Sequence, residues 1–299
     1  VFVGTELGVA IIDIHTNSLS VPKGMMPHFG VFLVSDFFIY QNEVYFSAIN
    51  EGLFKIAYNK SIPVIEPVQK FQFTYSLGFY DNTLFSGNKG FIDSFNIQEL
   101  TKGKAISKRI GKTIVWDFAK DKNNTLYTAA WGVFDLSGGL YSITNNQLSN
   151  ISEQYGIESK NLLNVVYSFK KDILYVGSKD QGIYEILLDK TIDYNPFENK
   201  SIVDIETLGN QKIILHQDGM AFINSNNSIS KTIPSTDFKK FELHFIKNTK
   251  LKLPTHEDGF YELNYNIPAP EIEFYEILKH QKSFWISSNI GVFEMNFEG

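Results

Sequence analysis

The sequence has no cysteine, no long apolar run and no excess of positive charge. Without cysteine there can be no disulfide, thiol nucleophile or zinc–thiolate site, although the compartment stays open because many exported bacterial proteins also lack it. The most apolar stretch, Gly30 to Tyr40, is short and is interrupted by Asp36. A bilayer-spanning helix needs about 20 apolar residues, so no membrane contact by this region is expected. With 27 Lys+Arg against 33 Asp+Glu and a formal charge of −6, the broad positive field of a nucleic-acid binder is missing. Sustained helical periodicity is absent too, which disfavours a parallel α/β fold. No GxGxxG stands in a strand-to-helix context, and phosphate loop, HExxH and Gly-x-Ser-x-Gly patterns are lacking. The reading therefore assigns no cofactor, no metal and no catalytic residue. The first residue is Val1, with no signal peptide before a strand-like opening, and the expectation is a processed or excised piece of a longer chain.

What is present is length, aromatic content and self-similarity. The 299 residues, 43% hydrophobic, suffice for a full core, and 26 Phe with 15 Tyr favour sheet over helix. One pattern recurs: a polar turn, an apolar-aromatic strand ending in a small residue, a loop, a glycine, and a second apolar-aromatic strand. The clearest copy runs Asp172-Ile-Leu-Tyr-Val-Gly177, then Gly182-Ile-Tyr-Glu-Ile186. Equivalent glycines stand at 8, 52, 90, 139, 219, 259 and 291, making eight anchors about 40 residues apart, the length of one propeller blade. Turn residues bound each run, as Asp81-Asn82 before Leu84. Further strand candidates lie upstream, such as Thr113 to Phe118 and Asn164 to Phe169, and weaker ones downstream.

The expected fold is all-β: one β-propeller over residues 1–299 built of four-stranded blades, seven of them, with eight as the alternative because eight anchors are visible. Two sandwiches would have no reason to keep an even period. The first copy lacks its first strand and the last its fourth, so the strands that close the ring are expected outside residues 1–299, where an open sheet edge would otherwise invite pairing.

The copies Leu174 to Ile186 and Phe284-Trp-Ile-Ser-Ser-x-x-Gly-Val-Phe-Glu-Met295 resemble the two-component regulator propeller repeat, in which a Trp-Ile-Gly-Thr strand precedes a Gly-Leu-x-x-x-Asp strand. The likeness spans all eight anchors. Departures are that Trp285 alone supplies the family's Trp and that Leu215 and Leu253-Pro254 replace the usual small residue. The resemblance implies a periplasmic or extracellular bacterial sensor region, of the kind found in hybrid histidine kinases and membrane-bound regulators of Bacteroidetes-type bacteria and often glycan-sensing. It implies as partners a small-molecule or oligosaccharide ligand, or a neighbouring domain or protein, with a homodimer formed through the longer chain. A secreted scaffold is the related alternative.

Two constellations stand out as ligand sites. His216-Gln-Asp218-Gly219 and His256-Glu-Asp258-Gly259 are 40 residues apart at equivalent places of successive units. Neighbouring blades would bring His216, Asp218, His256, Glu257 and Asp258 to one face, able to bind a divalent metal or act as acid and base. Streptogramin lyase, a propeller of similar repeat style, has a histidine and carboxylate site, which keeps a lyase as the alternative function; the plainer reading of Asp-Gly is a turn. The second is the long linker Trp131 to Gly138. Trp131 and Phe134 could stack on a sugar ring while Asp135 accepts hydroxyl hydrogen bonds. In another register Gly132 to Leu136 is itself a strand and Phe134 is core. Trp116 and Trp285 read as packing residues, and His15, His28, His244 and His280 have no matching partners.

Overall fold

Hairpin turns punctuate the chain. Gln41-Asn42, Lys60-Ser61, Asp81-Asn82 and Asn145-Asn146 are pairs of residues with positive φ, the conformation whose twist matches that of the flanking strands. The anchors at 8, 52, 90, 139, 182, 219 and 291 also have positive φ, from 76° to 139°. At Gly219 a Cβ would stand 2.2 Å from the Ile233 carbonyl oxygen, so only glycine fits there.

The computed structural model describes the chain except residues 6–7, 17, 25–32, 71–72, 133–136, 189, 193–196, 198–199, 245–250, 255–259, 264–271 and 297–299. Seven antiparallel sheets follow one another. Blade 1 has β1 (Phe2–Thr5), β2 (Gly8–Asp13) and β3 (Ser18–Ser20). Blade 2 has β4 (Val34–Tyr40), β5 (Glu43–Ala48), β6 (Gly52–Asn59) and β7 (Ile62–Gln69). Blade 3 has β8 (Thr74–Tyr80), β9 (Thr83–Asn88), β10 (Ile92–Asn96) and β11 (Lys108–Gly111), with the short helix α1 (Ile97–Leu100) between the last two. Blade 4 has β12 (Ile114–Lys120), β13 (Leu126–Trp131), β14 (Gly139–Thr144) and β15 (Gln147–Asn150). Blade 5 has β16 (Leu162–Ser168), β17 (Ile173–Ser178), β18 (Ile183–Leu187) and β19 (Lys190–Ile192). Blade 6 has β20 (Ile202–Leu208), β21 (Gln211–His216), β22 (Gly219–Ile223) and β23 (Ile229–Pro234). Strand β24 (Glu242–His244) and the hairpin β25 (Leu251–Pro254) with β26 (Phe260–Leu263) come next, before β27 (Phe274–His280), β28 (Ser283–Ser288) and β29 (Gly291–Asn296) of blade 7. Among the described residues no helix is long and apolar enough to cross a membrane.

The fold is thus an all-β, seven-bladed propeller. Two expectations are corrected. The copy around Gly259 does not make an eighth blade: among the described residues β25 and β26, which flank it, pair only with each other as a two-stranded sheet. The last blade does not lack an outer strand either, because β24 comes back from upstream to pair with β29. Among the described residues the first blade has three strands, β1 being the counterpart of the second strand elsewhere.

The core consists of seven clusters, one at each blade boundary. Second strands supply both of their neighbours by simple alternation: Phe46 faces blade 1 and Tyr45 faces blade 3, and Leu174 and Tyr175 divide likewise between blades 4 and 6. That is why these strands read as nearly continuous apolar runs. The ring closes where Trp285 (4% exposed) and Val292 of blade 7 pack on Val3, Ala10 and Ile12 of blade 1. Trp285 is a packing residue as expected.

Candidate functional site at the channel mouth

The first strands β4, β8, β12, β16, β20 and β27 are innermost and neighbour one another around a central channel. Each has a register shift near its start, at Val34/Asp36, Thr74/Ser76, Val115/Asp117, Leu162/Asn164, Ile202/Asp204 and Phe274/Glu276. Such a bulge adds one residue and re-aims the side chains around it. The residues after the bulges form a polar ring: Asp36, Ser76, Asp117, Asn164, Asp204 and Glu276.

This ring stitches blades together. Asp36 accepts from its neighbour Phe37 N–H at 2.6 Å and from Leu77 N–H of blade 3 at 2.7 Å. Asp117 accepts from Phe118 N–H and from Val165 N–H of blade 5, at 2.7 and 2.8 Å. Asp204 accepts from Ile205 N–H and from Ile277 N–H of blade 7, at 2.8 and 2.9 Å. In the intervening blades Ser76 Oγ donates to the Val115 carbonyl and Asn164 Nδ2 to the Val203 carbonyl. Glu276 is exposed by surface area, while the surrounding chain displaces part of the water near its carboxyl. Burial raises the pKa of all four acids, to about 8 for Asp36 and about 7 for Asp117; mutual repulsion raises Asp36, Asp117 and Asp204 further. Sequence reasoning missed this ring. The available signal was an Asp inside an otherwise apolar strand, in Ser35-Asp36-Phe37, Trp116-Asp117-Phe118 and Val203-Asp204-Ile205.

At the mouth the second-to-third-strand turns lie in contact with the approach to the inner strands. The Ile49, Lys89, Lys179, Gln217 and Asn289 N–H groups donate to the carbonyls of Leu33, Phe73, Asn161, Ser201 and Glu273. Blade 4 departs from this pattern, because β13 and β14 are joined by the longer segment 132–138. Their ladder, with Ala130 opposite Gly139, makes β14 the strand paired next to β13 and leaves the segment 132–138 between them. Its neck is closed by Gly132 N–H donating to the Lys160 carbonyl at 2.7 Å, and by the Thr113 and Tyr141 hydroxyls on the Ser137 carbonyl. A Cβ on Gly138 would lie 1.8 Å from the Lys160 oxygen. Phe134 and Asp135 lie outside the described residues.

Beside this neck, three aromatic side chains form a row. Tyr75, the bulge residue of blade 3, stacks on Trp116, the bulge residue of blade 4, with centroids 4.9 Å apart; Trp116 in turn meets Trp131 at 5.6 Å. Lys179 of blade 5 places its ammonium 4.8 Å from the Trp131 ring centre. All three rings are half-buried, and the Trp116 indole N–H is enclosed without a partner. Trp116 therefore packs, as expected, but against rim aromatics rather than in a blade core. Tyr275, the bulge residue of blade 7, is 54% exposed.

His216 ends β21 at 9% exposure beside Phe197, its Nδ1 unpartnered, and burial lowers its pKa. Asp218 is exposed and ion-paired with Lys200. His256, Glu257 and Asp258 lie outside the described residues. Among the described residues no group of three or more His, Asp or Glu side chains could hold a metal ion. A cleft of about 700 Å³ between blades 2 and 3 is lined by Asn88, Phe91, Asp93, Ile106 and Arg109. Its strongest recognition groups engage each other, the Arg109 guanidinium lying 3.7 Å over Phe91 and pairing with Asp93 at 3.1 Å.

No family model matches the chain, and no curated protein does either. Solved structures do. The extracellular domain of BT4673 from B. thetaiotaomicron, described in one structure as that of a one component system, aligns with TM-score 0.69 and 14% identity over 100% of this chain and 37% of its own. A second structure, described as that of a hybrid two component system, gives 0.68 and 16% over 98% and 36%. Virginiamycin B lyase from Staphylococcus aureus aligns with TM-score 0.62 and 11% identity over 98% of this chain and 92% of its own. At these identities the likeness establishes the propeller fold. The BT4673 domain matches what the repeat resemblance pointed to, and this chain spans little more than a third of its length.

Proposed function

We propose that this propeller is a non-catalytic, extracytoplasmic ligand-binding sensor module of a two-component-type signalling protein. The observation that carries the reading is the row Tyr75–Trp116–Trp131 at the channel mouth, beside a loop that blade 4 alone inserts among the described second-to-third-strand turns. Half-buried aromatic rings suit the apolar faces of sugar rings; Phe134 would add a further stacking face, and Lys179 and Asp135 would supply the polar contacts. Its structural likeness to the extracellular domain of BT4673 supports the setting. A ligand bound there would signal only by differing in affinity between two packings of the propeller on a neighbouring domain or subunit.

The test is tryptophan emission and melting temperature against a panel of oligosaccharides. Two of the three tryptophans are in the row and Trp285 is in the core, so a binding sugar should shift emission in the parent and lose the shift in Trp131→Ala. A ligand at 100 times its Kd should add roughly 2.7 kcal/mol of stability. If no sugar moves either signal, or if the shift survives Trp131→Ala, the reading fails.

A further inference from the structure

Blade 3 carries an insertion that walls a cleft. In blades 2 and 4 the third and fourth strands are joined by the tight turns Lys60-Ser61 and Asn145-Asn146, but in blade 3 the connection runs over residues 97–107 and contains α1. The Asn96 side chain accepts the Gln98 and Glu99 N–H groups at 3.0 and 3.2 Å, which starts the helix. Ile97 and Leu100, both fully buried, dock with Tyr45 and Leu53 of blade 2 and with Leu84 and Phe95 of blade 3. Ala105 packs on the same cluster. The end of the insertion is therefore held by the core, and Ala105, Ile106 and Ser107 wall the cleft of about 700 Å³ between blades 2 and 3.

Two cations reach this cleft from different blades. Lys70 follows β7 of blade 2, and Arg109 lies in β11 of blade 3. A register shift between Ile92 and Asp93 sets Arg109 directly opposite Asp93. There its Nε–H donates to the Asp93 carboxylate at 3.1 Å, and the guanidinium lies 3.7 Å over Phe91. These contacts hold the group in place and use its Nε–H alone. The terminal nitrogens of Arg109 and the exposed Lys70 ammonium have no hydrogen-bond or ion-pair partner among the described residues. Asp93 is the one acid lining the cleft, and it is already paired. The chain carries a formal charge of −6, yet this cleft is cationic. Much of the remaining lining is polar, with buried Ser86 and Asn88 from blade 3 and Asn50 and Gln69 from blade 2.

We propose that the cleft between blades 2 and 3 binds a hydroxylated carboxylic acid the size of a sugar acid, its carboxylate held by the terminal nitrogens of Arg109 and by Lys70. A guanidinium fork matches a carboxylate with two parallel N–H bonds. Phe91 and Asp93 fix the fork beforehand, so little side-chain freedom is lost on binding. Hydroxyl groups of the ligand find amide and hydroxyl partners in the polar lining, and the cleft is of ordinary size for a small-molecule site. It shares no residue with the aromatic row, and binding here is independent of sugar binding there.

The probes are D-glucuronate and D-glucose, which differ by a carboxylate in place of a hydroxymethyl group, with inorganic sulfate as a third ligand, each titrated calorimetrically against the full chain. Glucuronate should bind at least about tenfold more tightly than glucose or sulfate and should weaken as salt is raised. Arg109→Lys keeps the charge but removes the fork, and should weaken glucuronate binding by about tenfold. That variant also alters the pairing with Asp93, so Lys70→Gln, at an exposed residue, gives a second reading and should weaken binding by at least about threefold. Trp131→Ala should bind glucuronate like the parent. The proposal is overturned if glucuronate does not bind, if glucose or sulfate binds as tightly, or if Arg109→Lys and Lys70→Gln both bind like the parent. It is also overturned if Trp131→Ala alone abolishes binding, which would move the ligand to the aromatic row.

Discussion

The Asp36 carboxylate of blade 2 accepts the Leu77 backbone N–H of blade 3 at 2.7 Å, and the same bond recurs two blades on, from Val165 to Asp117, and again from Ile277 to Asp204. Three aspartates thereby tie six of the seven blades in pairs at the narrowest part of the ring. Each satisfies two amides that no strand pairing reaches. Replacing Asp117 with alanine leaves Phe118 and Val165 N–H without acceptors, at about 1–3 kcal/mol for each that stays buried. A loss of about 2–4 kcal/mol in urea unfolding at unchanged m-value is expected, and a loss under about 0.5 kcal/mol would show that channel water replaces the carboxylate at no cost.

The ring also makes stability depend on pH. The folded pKa values of Asp36, at about 8, and Asp117, at about 7, lie above the ordinary carboxylate value because burial disfavours the charged form. The folded protein therefore holds more protons than the unfolded chain between about pH 4 and pH 8, and stability falls as pH rises through that window. The melting temperature should drop from pH 5 to pH 8. Glu276→Gln removes one repulsive charge from Asp36, Asp117 and Asp204, so its profile should be flatter. A melting temperature that rises over the window contradicts this account.

Lys212 of blade 6 and Glu185 of blade 5 form an ion pair with side chains only 3% and 6% exposed. Asn227 shares the ammonium, which also lies 4.8 Å from the Tyr175 ring centre. Removing one partner strands a buried charge, and Lys212→Met should cost about 3–5 kcal/mol. The double variant with Glu185→Met should recover most of that loss. If both variants melt alike, the pair is not the source of the cost.

Gly219 and Gly138 test two different close approaches. Gly219→Ala forces a Cβ onto the Ile233 carbonyl at φ 139° and should destabilise the whole fold, by at least about 2 kcal/mol. Gly138→Ala collides with the Lys160 carbonyl at the loop neck. It should change the emission of Trp131 while the melting temperature moves far less than in Gly219→Ala. Equal melting losses in the two variants would mean that the neck belongs to the core of blade 4.

Most of the architecture was legible in the sequence because a blade is a local object. Its hairpins turn on adjacent polar residues, its glycines need positive φ, and its apolar runs alternate between two neighbours, so Asp172 to Ile186 announces two paired strands by itself. Gly259 misled for the same reason: the motif writes a hairpin, and β25–β26 is one, but a motif of that length does not state whether the hairpin joins a blade. Trp131 stood out because its loop breaks the repeat.

Sequence alone determined the repeat, the sheet class and the absence of thiol chemistry, since each follows from residue type and spacing along one strand or turn. Tertiary structure decided what lies between blades. Successive ring carboxylates, Asp36, Asp117, Asp204 and Glu276, are 72 to 87 residues apart in sequence, and only the closure of the ring brings them to one channel. The row of Tyr75, Trp116 and Trp131 likewise exists only because two bulges aim their residues at the same rim. Burial and mutual repulsion at that centre are sums over neighbours from many blades, and no single strand contains them.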